Sequence, residues 1–214
     1  KTSISIEKFN SVANSGKFDY KFLKGIKKRD NKLEGYLFPD TYEFNLKVTE
    51  EEIIKKMLDN FDSKLTDEDY AKAKKLNMTM DQIITLASIV EKEGKKSDEL
   101  NKIAGVFYNR LKSKDKAQRK LESCATIQYI LLNRDGKIKE KIFEKDTKIK
   151  SPYNTYLNPG LPVGPICSPG KAAIDATLNP LKSKYFYFVA KGDGSHQFSK
   201  TLKEHTEAVK KYQK

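Results

Sequence analysis

The chain has 214 residues, enough for one domain with a real core or one domain plus a small appendage. Hydrophobic residues make up 37% and aromatic residues 10%, which excludes wholesale disorder, and no apolar run approaches the roughly 18 residues that span a membrane. The net charge of +13 (42 basic against 29 acidic residues) suits a polyanionic partner or surface. Only four basic residues are arginine (Arg29, Arg110, Arg119 and Arg134), which argues against a nucleic-acid reader built on bidentate contacts. Cys124 and Cys167 lie far apart, as do His196 and His205, and none has the spacing of a structural zinc site; two free cysteines are expected.

Residues 1–30 are polar and weakly periodic, with short apolar patches at 4–6 and 18–22, and read as one or two short helices. In the stretch 33–44, LEGYLFPDTYEF, aromatics at alternate positions suggest extended structure with a turn at Pro39-Asp40. That stretch is either a packed hairpin or an aromatic platform for sugar rings made by Tyr36, Phe38 and Tyr42. Thr49 opens a helix bearing Ile53, Ile54, Met57 and Phe61 on one face, and Thr66 with Asp69 opens a shorter charged one.

Residues 77–94, NMTMDQIITLASIVEKEG, form the most informative helix. Thr79 and Gln82 make a capping box, apolar residues recur from Ile83 to Val90, and Gly94 is placed to end it. At about 100° per residue Lys92 points away from the apolar arc, while Glu91 and Glu93 fall on its two edges. A carboxylate at the rim of an apolar face is where burial raises a pKa enough to make a general acid. The alternative is that both are solvated helix-end residues, and periodicity does not choose between the two glutamates.

A helix over 98–112 follows, with Asn109 and Arg110 beside its apolar face, then a charged loop at 113–120 and a short helix over 127–132. The stretch 151–170, SPYNTYLNPGLPVGPICSPG, holds five prolines and three glycines; it reads as a rigid binding loop and Asn154 as an exposed member of it. Ser168-Pro169 opens a helix over 170–178. Residues 185–189 are the clearest strand, paired in a hairpin with 196–198, and a last helix after Thr201 packs Leu202, Val209 and Tyr212. The expected fold class is therefore α+β, mainly helical with a small antiparallel β-sheet.

LEGYLFPDTYEF, ASIVEKEG, VFYNRL, SPYNTYLNPGLPVGPICSPG, NPLKSKYFYFVA and GSHQFSKTLKEHTEAV occur in one order and at compatible spacing. Together they resemble the endolytic murein transglycosylases, the MltG or YceG-like family. The likeness implies a catalytic domain over 33–214, preceded at 1–32 by the tail of a LysM-like module. The chain opens at Lys1 rather than at a methionine and is read as a piece of a longer protein. In such proteins a single N-terminal helix anchors an extracytoplasmic domain to the cell membrane.

The resemblance assigns the catalytic role to the first glutamate of the SIVEKE motif, Glu91. It implies sugar contacts by Tyr36, Phe38, Tyr42, Asn109, Arg110, Ser123, Thr126, Tyr129, Tyr153, Asn154, Thr155 and His196. Leu121, Ser123, Thr126 and Tyr129 match the family's pattern after the long helix, whereas Glu122 and Cys124 depart from it. Peptidoglycan glycan strands are the implied substrate and the cell-wall synthesis machinery an implied partner, with no metal or organic cofactor and no nucleic acid. A non-catalytic peptidoglycan-binding module is the competing expectation; it would not need Glu91.

Overall fold

A computed structural model of the chain describes residues 4–213. Its helices are α1 (Ile6–Ser15), α2 (Glu50–Ser63), α3 (Asp67–Lys75), α4 (Met80–Glu93), α5 (Leu100–Leu111), α6 (Cys124–Asp135), α7 (Lys171–Leu178) and α8 (Leu202–Tyr212). Strands β1 (Tyr187–Ala190) and β2 (His196–Ser199) form an antiparallel hairpin, with Tyr187 opposite Ser199 and Ala190 opposite His196. The architecture is mainly helical with one small sheet.

Capping boxes explain half of the eight helix starts described. Thr49–Glu52, Thr66–Asp69, Thr79–Gln82 and Thr201–Glu204 each close a capping box, satisfying amides that a helix start leaves orphaned. The helix expected over 127–132 begins earlier, at Cys124, and ends at Gly136 in the left-handed conformation. The one expected over 170–178, capped by Ser168, begins at Lys171 with Gly170 as its N-cap. In α8 the expected anchor Leu202 is exposed, and Ala208 is the buried residue.

The stretch 33–44 contains no strand. Successive turns, with Glu34 N donating to Asn31 O and Tyr36 N to Leu33 O, drop Leu33, Tyr36 and Phe38 into the core. The alternation of aromatics therefore records inward insertion rather than a pleat. Gly35 takes a φ of +92°, and a Cβ there would stand 2.5 Å from Pro165, so the turn fits against the proline-rich loop only without a side chain.

Helix α4 is the axis of the molecule. Every residue from Ile83 to Val90 is buried, because α7 and α5 cover it on different sides. One cluster joins Ile83, Ile84 and Ala87 to Phe22, Tyr36, Ile54 and Phe61; another joins Leu86, Ile89 and Val90 to Ile103, Phe107 and Tyr129. Phe22 stacks on Tyr36 and meets Phe61 edge-on, so residues before position 33 share the core of those after it.

At the start of α4, Asp81 accepts hydrogen bonds from Arg29 Nη1 (2.9 Å) and the Tyr36 hydroxyl (2.6 Å). The Arg29 side chain is 1% exposed. Asp81→Asn leaves that buried guanidinium without its counter-charge and is expected to cost about 3–5 kcal/mol of stability, read from the urea unfolding midpoint.

Candidate active site

Two cavities meet at the C-terminal end of α4. The first, about 490 Å³, is lined by Glu93, Arg110, Ser123, Tyr156, Tyr187 and His196 among others. The second, about 580 Å³, is lined by Glu93 again, with Glu34, Lys92, Gln128, Tyr129 and Cys167. Glu93 and Cys124 belong to both. The proline-rich stretch supplies Tyr156 to one cavity and Ile166 and Cys167 to the other.

Glu93 is the last residue of α4 and is half-buried. The Ser123 hydroxyl donates to its Oε1 at 2.5 Å. Ser123 occupies the N-cap of α6, yet its side chain makes no capping bond to its own helix, because the hydroxyl is turned to Glu93. The Glu93 carboxyl thus lies at the N-terminus of α6, where a negative charge is favoured. Burial nevertheless wins and holds its pKa above the usual carboxylate range; the Ser123 hydrogen bond, nearby His196 and the Ala125 amide oppose the shift without cancelling it.

Glu91 is placed differently. It is exposed, lacks the apolar enclosure expected for the acid, and its Oε2 accepts the backbone N–H of Gly170 at 3.2 Å. Gly170 is the N-cap of α7, so Glu91 satisfies a helix start. The two glutamates of one helix end therefore reach the N-termini of two other helices, and the second carries the features sought in the first.

The remaining expected residues divide into those at the cavities and those that build the frame. Arg110, Ser123, Tyr129 and His196 line the cavities. Arg110 donates to Leu121 O at 2.8 Å and pairs with Glu122, one of the departures from the family pattern. His196 Nδ1 lies 2.8 Å from Glu99 Oε2, which fixes its ring. Tyr153 stands behind the second cavity, its ring 4.8 Å from that of Tyr129.

Tyr36 and Phe38 are buried in the core and have no face to offer a sugar ring. Tyr42 spends its hydroxyl on Phe38 O and on the Asn60 amide, and the Asn109 amide spends both its protons on Ser183 O and Tyr185 O. Thr126 and Thr155 are buried and share a hydrogen bond of 2.9 Å; Thr155 Oγ1 also accepts the Ser123 amide, which sets the position of the serine that touches Glu93.

Glu34 lies inside the aromatic motif and carries no signal of its own in the sequence. It is half-buried, and desolvation holds its pKa up, with Tyr129, Arg29 and Lys92 opposing. Tyr156 was present in the proline-rich stretch but carried no distinguishing signal. Both cysteines are free, and burial raises both thiols, Cys167 to about 12.

With this geometry in place, sequence comparison gives the class. The model of the YceG-like family matches residues 3–211, and the chain belongs to that family. An endolytic murein transglycosylase of Bacillus subtilis (strain 168) is 44% identical over 193 residues, covering 89% of this chain and 50% of the relative. A protein of the same name from Streptococcus pneumoniae serotype 2 (strain D39 / NCTC 7466) is 42% identical over 164 residues, 74% of this chain and 28% of the relative. The crystal structure of a yceG-like protein from Listeria monocytogenes superimposes with a TM-score of 0.80 at 33% identity, covering 96% of this chain and 68% of that one. The chain spans half the length or less of these two curated relatives.

Asn154, expected on the loop surface, is buried. Its amide donates to Thr147 O (2.9 Å) and Ile149 O (2.7 Å), and its oxygen accepts Tyr156 N (2.8 Å). Asn154→Ala is therefore expected to cost about 2–3 kcal/mol in chemical denaturation, rather than the roughly ±0.5 kcal/mol of an exposed loop residue.

Proposed function

We propose that the chain is the catalytic part of an endolytic murein transglycosylase and that Glu93, rather than Glu91, is its acid and base. The observation that carries this reading is the Glu93 carboxyl, half-buried, raised in pKa, held by the Ser123 hydroxyl and shared by the two cavities that meet at the end of α4. A strand occupying both cavities would pass over Glu93 at an internal bond, as endolytic cleavage requires.

The substrate is the β-1,4 bond between N-acetylmuramic acid and N-acetylglucosamine. Protonated Glu93 gives its proton to the leaving oxygen of N-acetylglucosamine as the bond from muramic C1 to that oxygen breaks. The C6 hydroxyl of the same muramic residue bonds to C1, and the Glu93 carboxylate takes the hydroxyl proton. The products are a free N-acetylglucosamine hydroxyl and a 1,6-anhydro end, and Glu93 is protonated again. The attack is intramolecular, so proximity supplies what a positioned water would otherwise provide. Ser123 holds the carboxyl in line during both transfers, and Arg110, Tyr187 and His196 form the wall on one side of the bond.

A raised Glu93 pKa makes the proton available at higher pH than an ordinary glutamate would. Because the free enzyme must hold that proton to begin, kcat/KM is expected to fall as pH rises through the raised value.

The decisive comparison uses uncrosslinked glycan strands, with anhydro ends counted by mass spectrometry. Glu93→Gln is expected to lower their release by about 10⁴-fold or more, since one group serves both transfers, while Glu91→Gln retains most activity. The folded state of the wild type holds the Glu93 proton more tightly than the unfolded chain does, so ionising it above the raised pKa costs stability. Glu93→Gln removes that cost and should melt no lower than wild type at neutral pH. Full activity of Glu93→Gln with loss in Glu91→Gln would return the role to Glu91, activity surviving in both would mean that neither glutamate is the acid, and a wild type that releases no anhydro ends would favour a binding module.

A further inference from the structure

Glu34 occupies a place in the cleft that acid–base chemistry leaves unused. It lines the second cavity together with Glu93, and it also lines a third, of about 250 Å³, bounded by Asn10 and Asn14 of α1, Asn31 and Ser168. The cavities therefore run in series: Glu93 is common to the first two and Glu34 to the last two.

Its neighbours Leu33, Gly35 and Tyr36 are buried, so the backbone that carries Glu34 is fixed. A half-buried carboxylate retained for stability alone is ordinarily ion-paired. Among the described residues Glu34 has no ion pair. The third cavity adds the Asn10 amide and the amide protons of Asn14, whose oxygen accepts Lys32 N, and these suit the hydroxyl and acetamido groups of an amino-sugar strand.

We propose that Glu34 is a specificity-determining residue: it accepts hydrogen bonds from a sugar unit bound beyond the catalytic cavity, and so favours strands long enough to enter the third cavity. The proposal rests on the transglycosylase reading of Glu93. It gives α1 a part in substrate selection and makes strand length a property of the N-terminal segment.

The test uses uncrosslinked glycan strands fractionated into a short and a long pool, with kcat/KM measured on each. Glu34→Ala is expected to lower the long-to-short ratio about tenfold, the loss of one hydrogen bond to a charged acceptor. Glu34→Gln, which keeps an acceptor, recovers part of that ratio. The double variant Asn10→Ala, Asn14→Ala lowers the ratio with Glu34 intact. Equal loss on both pools, or none, in a protein that still releases anhydro ends overturns the proposal and leaves the reading of Glu93 standing. A wild type that releases no anhydro ends counts against the reading of Glu93 instead. In that event the same ratio, taken as Kd for the two pools by calorimetry, decides the role of Glu34.

Discussion

The hydrogen bond between Ser123 and Glu93 joins the end of one helix to the start of another, and the cleft is arranged around that junction. Helix α4 cannot shift, because its apolar residues are covered on all sides by the rest of the chain. Its last residue is therefore delivered to a fixed point, where the first turn of α6 offers a hydroxyl and amides. A serine that would normally cap its own helix gives its proton to a carboxyl from elsewhere. This couples the electrostatics of the site to the packing of the core: the enclosure that raises the Glu93 pKa comes from the same neighbours that hold it in place.

Glu91 shows how closely structure and chemistry can be interleaved. Two residues away on the same helix end, it reaches the N-cap of α7 and stays in solvent. One turn of backbone thus supplies an anchoring carboxylate for one helix and an enclosed carboxyl for another. The residues that brace the site from behind follow the same pattern. Thr155 and Thr126 position Ser123, and Glu99 holds His196, without any of the three carboxyl or hydroxyl groups needing to touch substrate.

Much of this frame was legible in the sequence. The capping boxes at Thr49, Thr66, Thr79 and Thr201 name their own helices because the signal is local, three residues long and chemically specific. The hairpin was legible from its aromatic strand and glycine turn, although it begins two residues later than the pattern suggests. The aromatic stretch at 33–44 misled because alternation has two physical causes, a pleated strand or a chain of turns that inserts every second or third residue into a core. Asn154 misled because composition marks a loop as polar and does not reveal that the carbonyls of Thr147 and Ile149, just before the loop, capture the side chain.

The choice between Glu91 and Glu93 lay beyond periodicity for a related reason. Both stand on edges of the apolar arc, and what separates them is which distant segment packs over each edge: Gly170 on one, Ser123 on the other. No spacing rule within the helix carries that information. Glu34 was hidden likewise, since its neighbours in sequence are core residues and its neighbours in space are the walls of two cavities.

The most direct measurement is the structure of the Glu93→Gln variant with an uncrosslinked glycan strand bound. The account predicts an internal glycosidic oxygen within about 2.6–3.2 Å of the side chain at position 93, with sugars of the strand extending into both adjoining cavities. A strand whose scissile bond lies against Glu91, or on a face of the molecule that Glu93 does not reach, would contradict it.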